Sequence, residues 1–412
     1  MSAHWNDAAL GFLRSLHDPE TSGTRSVPGG PVTLYGTCYA SLGQFYLGAD
    51  DIMSEKTRAF IAKCQDPETG LMIGPELIDF EPPTGVMHGR EHLLFHLTCA
   101  AAPTCQHFGI PLSHPIKAAH RFCDLDYLRQ WMDQRDLRNA WFEGNNILFV
   151  GQLLVYVRDV ERHTKAQAAV DAWFDWLDTH VDPGKGLWGT NGCCSPLEAV
   201  CGGYHQLLVY YHENHSLTSP EGMVDTVLGL QHADGGFNPS GNAGACEDVD
   251  SVDILVNLYK RFDYRRADIR FALRRCMRHI LATQNPDGGF PYNRDCPQSH
   301  MGIPGTEAAP NQSTTFATWF RVHTLALMAE ILTDEEKLDL PFRFTSVLSM
   351  GWHQPWNRSA AFLSRADRLL ETGAALRLSA RRMKRISRDF GVRALRAISS
   401  PRTVARHIQS RL

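Results

Sequence analysis

A helix-breaking signature recurs along this chain, and such recurrence commits a chain to a repeat architecture. Gln231-His-Ala-Asp-Gly-Gly-Phe237 returns 53 positions later as Gln284-Asn-Pro-Asp-Gly-Gly-Phe290. Looser copies run from Phe12 to Gly23, from Phe60 to Gly70 and from Trp173 to Gly189. Their aspartates, Asp18, Asp66, Asp182, Asp234 and Asp287, are separated by 48, 116, 52 and 53 residues. The gap of 116 has room for one more unit, and the degraded copy Tyr127–Asn146 falls inside it. Six units are the economical count.

Each unit has the same grammar. Apolar residues at three- and four-residue spacing precede the aspartate, as in an amphipathic helix. Asp-Pro, Asp-Gly or Gly-Gly then breaks the chain, since proline lacks a donor and glycine accepts positive φ. A more apolar segment follows, such as Ile147–Val157, Tyr204–Tyr211 or Phe316–Leu332. An outer helix exposes one face, whereas an inner helix is covered all round. The expected fold is therefore all-α: an (α/α)6 toroid of six helical hairpins within residues 1–360. An open helical solenoid built from the same repeats is the alternative, because sequence does not reveal closure.

Residues 361–412 read as a separate basic amphipathic helical extension. They hold thirteen Arg or Lys against three acidic residues, while the whole chain carries a net charge of −4. Leu369, Leu376, Met383, Ile386 and Phe390 fall on one helical face. Such a helix either lies on an anionic membrane surface or packs on the acidic flank of the toroid. Few aromatic side chains accompany the arginines, so no nucleic acid partner is expected. No basic region followed by an apolar run opens the sequence, and no apolar run approaches the ~20 residues that span a bilayer. Eleven cysteines scattered through apolar helices suit reduced thiols. A cytoplasmic protein, peripheral at the membrane if the tail binds lipid, is expected.

The inner segments carry polar groups at corresponding places, and buried polar groups are costly unless paired or used. Glu91 and His92, flanked by His88 and His96, lie on the second. Asn146 and Phe149 lie on the third, Glu198, Tyr204 and His205 on the fourth. The last carries Phe316, Trp319, Arg321 and His323. These are the expected substrate-binding residues of a central cavity. The fifth carries Asp248, Asp250 and Asp253 behind Glu247, four acids in seven residues. Mutual repulsion and desolvation raise at least one pKa in such a cluster and create a proton donor. The structural alternative is a helix N-terminus capped by Asp248, with the other carboxylates favoured by its dipole.

The Gln-x-x-x-Gly-x-aromatic repeats resemble those of squalene–hopene cyclases and related class II terpene cyclases, and more loosely those of protein prenyltransferase β subunits. Asp248-Val-Asp250-Ser251 is similar to the Asp-x-Asp-Asp acid motif of the cyclases. The resemblance implies Asp250 as the acid that protonates an alkene or epoxide, Asp248 as a supporting carboxylate, and an aromatic-lined cavity for an isoprenoid or lipid substrate. Ser251 stands where the family has its last Asp, and this chain has one barrel where the familiar cyclases have two. A homodimer or second subunit would supply a missing wall. A further departure is the lack of an Asp-Asp-x-x-Asp motif, which argues against ionisation-type terpene synthesis.

Two readings from other classes remain open. α/α toroids also house glycoside hydrolases and polysaccharide lyases, which need two carboxylates across a cleft or a His and a Tyr. Glu91 or Glu198 opposite Asp250 would form the carboxylate pair, with Trp141 and Trp188 as sugar platforms. The other is a non-catalytic toroid that binds a lipid or a protein partner. No cofactor is expected. Zinc is the one metal considered, at Cys246, Asp248 and His323, at the Cys201/His205 pair with Cys193 and Cys194 just upstream, or at the His88/His92/His96 row, and none has the CxxC-type spacing of a zinc site.

Overall fold

The computed structural model of the protein describes residues 5–192, 194–338 and 340. Thirteen α-helices are found among them: α1 (Trp5–Ser15), α2 (Leu34–Tyr46), α3 (Glu55–Lys63), α4 (Arg90–His107), the single turn α5 (Lys117–His120), α6 (Leu125–Asp133), α7 (Ala140–Asp159), α8 (Ala166–His180), α9 (Pro196–Glu213), α10 (Pro220–Leu230), α11 (Ala245–Arg261), α12 (Arg266–Ala282) and α13 (Thr315–Ala329). The only strands among the described residues are the two-residue pair Thr24–Arg25 and Val32–Thr33. The expected basic tail, 361–412, lies outside the described residues. The chain divides into two compact units, and the second contributes only Arg265–Phe271 to the described part.

The larger unit is an all-α toroid. Its inner helices follow one another around a ring, α2 to α4, α7, α9, α11 and α13, and α13 packs back on α2. That last contact closes the ring and excludes an open solenoid. The degraded copy is a full member, since it supplies α6 and then the inner helix α7, with both packing on α8. Inner helices are covered on every side, as their composition predicts: all fifteen residues of α13 are buried. The outer helix α6 buries only Leu128 and Met132.

The repeated signature is explained by what its glutamine does. In three hairpins its Nε2 donates twice, once to its own turn and once to the next hairpin. Gln65 reaches Gly70 O (3.1 Å) and His114 O (2.7 Å). Gln231 reaches Gly235 O and Ala272 O, both at 2.8 Å. Gln284 reaches Gly288 O (2.9 Å) and Trp5 O (2.8 Å), so the last hairpin is tied to the first. Gly288 has φ +88° and lies against the Ala8 backbone, where a Cβ would clash. The motif glycine thus supplies both a left-handed turn and a close approach.

The motif aspartates hold these turns. Asp234 accepts from the Gly236 and Asn242 amides, and Asp287 from the Gly289 amide and Ser313 Oγ. Side-chain caps fix several inner N-termini in the same region, with Thr33 accepting from Gly36, Ser195 from Glu198 and Thr314 from Ala317. The toroid therefore gathers the N-terminal turns of its inner helices around one opening. No helix among the described residues is long and apolar enough to cross a membrane.

Candidate functional site

A cavity of about 530 Å³ opens where the N-terminal halves of α4, α7, α9, α11 and α13 converge. Of the residues proposed from sequence, it brings together His92, Glu198, Tyr204, His205, Asp250 and Phe316. His88, His96, Trp141 and Asn145 line it as well. Polar and titratable side chains outnumber apolar ones on this wall.

The two best-defined groups are His92 and His205. The amide of Asn146 must donate to the Glu143 carboxylate (3.0 Å), which turns its oxygen towards His92. His92 Nδ1–H donates to that oxygen at 2.8 Å. Arg135 completes the chain with an ion pair to Glu143 at 3.1 Å. His92 Nε2 therefore carries the lone pair, and it has no hydrogen-bond partner. His205 is fixed in the same tautomer, because Nδ1–H donates to the Cys201 carbonyl at 2.7 Å. Burial pushes the pKa of each down to about 4; the neighbouring histidines add to the effect at His92, against the opposing hydrogen bond to Asn146. Both rings are neutral at physiological pH, with Nε2 as a base.

Asp250 has the opposite character. It is 1 % exposed, and its Oδ2 has no partner. Burial raises its pKa well above the ordinary carboxylate value; the Cys201 thiol opposes this, and Asp253, Glu247 and Asp248 add to it. Burial therefore favours the protonated form of this carboxyl over its anion. The cavity thus combines oriented neutral bases with one carboxyl that burial biases towards its acid form.

Other proposed residues stand elsewhere. Asp248 is fully buried behind the cavity wall, where Oδ1 accepts from the Phe237 amide (2.9 Å) and Oδ2 pairs with Arg321. Arg321 Nη2 also donates to the Ala243 and Tyr292 carbonyls at 2.9 and 3.0 Å. Together they clamp the turn before α11 to the segment after Phe290. Asp253 lies one turn beyond Asp250, with Oδ1 accepting from Asn257 at 3.0 Å, and burial raises its pKa to about 7. Trp319 stacks on Tyr39 with ring centroids 4.5 Å apart, and His323 packs against Tyr46 and Trp319. Glu91, Asn146 and Phe149 line a neighbouring crevice between α4 and α7, where Glu91 pairs with Arg121.

The two suggested platforms separate. Trp141 lines the cavity, but Trp188 is a core residue, 2 % exposed, whose Nε1 donates to Leu177 O at 3.0 Å. None of the suggested zinc sets has metal-ligand geometry among the described residues. Cys246 lines the cavity while Asp248 is engaged with Arg321 and His323 lies in the aromatic core. Among the described residues the one cluster with metal-ligand geometry is Asp159, His212 and Glu213, and Arg158 already bridges its two carboxylates.

Sequence reasoning missed Tyr292, Gln298 and His300, which the segment after Phe290 folds over the cavity. His300 is 7 % exposed, packs edge-on to Tyr35 and His96, and is pushed to a pKa of about 3 by burial. Its signal was length. The connection from Phe290 to α13 is far longer than that from Phe237 to α11, and long connections in compact domains often carry function.

No family model matches the sequence, and no curated protein matches it significantly. A solved structure described as a polysaccharide lyase is similar with a TM-score of 0.45 and 11% identity, over 80% of this chain and 96% of that one.

Proposed function

We propose that the protein is an acid–base enzyme acting on a glycan, and that it cleaves a uronate-containing chain by β-elimination. The observation that carries this reading is the presence, in one cavity, of a histidine base held by an orienting chain and a buried carboxyl with an unpartnered oxygen, whose protonated form burial favours. In this reading His92 Nε2 removes the proton α to the uronate carboxylate. The C–O bond to the leaving sugar breaks as the C=C bond forms, and Asp250 gives its proton to the departing oxygen. Asn145 supplies an amide on the cavity wall for the substrate carboxylate, beside the guanidinium of Arg138, which is paired with Asp136. An anionic substrate also raises the pKa of nearby imidazoles and makes them stronger bases as it binds.

Asp250 and the Phe316 and Phe320 rings favour a second reading, proton-initiated cyclisation of an isoprenoid. The wall argues against it. A carbocation beside the imidazole lone pairs of His92 and His205 would lose a proton to them or be trapped. A glycoside hydrolase using Asp250 and Glu198 is a third catalytic option, and its products differ. Incubation with uronate polysaccharides, neutral polysaccharides and linear isoprenoids separates the three. Elimination yields an ultraviolet-absorbing unsaturated uronate, hydrolysis yields reducing ends without that absorbance, and cyclisation yields a ring product. Reducing ends alone, or a cyclised isoprenoid, would overturn the proposal.

A further inference from the structure

The ring of inner helices is not uniformly tight. Between α7 and α9 the backbones touch: a Cβ on Gly144 would stand 2.5 Å from the Gly202 carbonyl, and one on Gly202 would clash with Ala140. Between α4 and α7 side chains make the bridge. His92 meets Asn146 at 2.8 Å, and Gln152 Nε2 donates to Cys99 O at 3.0 Å. The looser seam leaves a crevice of about 310 Å³ running outward towards α6.

The crevice adjoins the central cavity, and Met87, His92 and Phe142 line both. The ring of Phe142 lies nearly parallel to that of His92, 4.9 Å away, so the two form a common partition. The nine-tenths buried His92 has an unpartnered Nε2 at this junction. Beyond it stand Trp131 and Phe122, with the Arg135 guanidinium 4.1 Å from the Trp131 ring and that of Arg121 4.8 Å from the Phe122 ring, while Glu91 adds a carboxylate. Aromatic faces edged by polar groups suit a sugar ring, which has apolar C–H faces and a hydroxyl rim. Arg135 is paired with Glu143 and Glu91 with Arg121, and a pure hydrocarbon would make no hydrogen bond to this polar edge.

We infer that the α4–α7 crevice is a second subsite, which receives the next sugar ring of the same glycan chain. The inference rests on the glycan reading of the central cavity. The central cavity would hold the two rings joined by the bond that is cut, and the crevice the ring beyond them. A site with two open arms admits the interior of a chain, so cleavage would be internal and not confined to chain ends.

The test compares wild type with Trp131→Ala and Trp131→Phe on galacturonan, alginate, hyaluronan and heparan sulfate, and on size-fractionated oligosaccharides of whichever polymer is cleaved. With Trp131→Ala, KM should rise roughly tenfold for oligosaccharides long enough to reach the crevice, with kcat retained. The shortest cleaved oligosaccharide should be unaffected, and Trp131→Phe should restore most of the loss. Wild-type products should be mixed in size from the start. If the substitution lowers kcat alike for every length, Trp131 acts through Arg135 and Glu143 on His92, and the subsite falls while the glycan reading stands. Equal KM for wild type and variant at all lengths also refutes it. Should the wild type cleave none of the polymers, the glycan reading fails and the subsite fails with it.

Discussion

Two aspartates two positions apart on α11 show how little residue type alone decides. Asp248 is engaged on both oxygens, and Asp250 has an oxygen with no partner. Asp248→Ala strands the buried Arg321 guanidinium, and breaking such a pair costs about 3–5 kcal/mol. We therefore expect a large loss in chemical denaturation, with loosening of the segment after Phe290. Asp250→Asn should leave stability unchanged or higher at neutral pH, since it removes a carboxyl that burial disfavours as an anion. Turnover should nevertheless fall by about 10²–10⁴-fold, the usual contribution of general acid catalysis. Equal stability losses in the two variants would show that both are structural. The density of acids was legible in the sequence. Their division of labour was not, because it depends on Arg321, 73 positions from Asp248 along the chain.

The helical hairpin was the element most legible in the sequence, and its glutamine shows why. The same side chain must span turn and neighbour in several copies, so the residue recurs where the geometry does. Gln284→Ala would leave the Gly288 and Trp5 carbonyls without their donor, at a cost of about 1–3 kcal/mol. Gly288→Ala should cost more, because it combines strain at φ +88° with a clash against the Ala8 backbone. Thermal or urea unfolding checks both, and a wild-type midpoint for Gln284→Ala would show that ring closure does not depend on this clasp. The partition of polar residues between cavity and crevice was illegible for a related reason. Helical periodicity puts His92 and Asn146 on inner faces, but only the spread between α4 and α7 decides which opening each of them lines.

At the scale of the whole molecule, the toroid holds many titratable groups away from water, which fixes the sign of its pH dependence. Burial lowers the pKa of eight histidines: His88, His92, His96, His107, His205, His279, His300 and His323. Unfolded, each binds a proton below about pH 6.5, so their stabilising contribution is lost as pH falls from there towards the folded values. Four carboxyls, the buried Glu76, Asp250 and Asp253 and the half-buried Glu247, have raised pKa values and act in the opposite sense, their contribution declining as pH rises above about 4. Eight groups outweigh four. The melting temperature should therefore fall as pH drops from about 6.5 to about 4.5, and a flat or rising profile would contradict this picture. The closed ring places His92, His205 and Asp250 around one cavity, and the proposed elimination is the claim to test. The most direct measurement is ultraviolet absorbance during incubation of wild type, His92→Gln and Asp250→Asn with the panel of uronate polysaccharides. The account predicts that absorbance from an unsaturated uronate grows with wild type on at least one polymer and is reduced by about 10²-fold or more in each variant. No growth with wild type on any polymer, or growth undiminished in both variants, would contradict it.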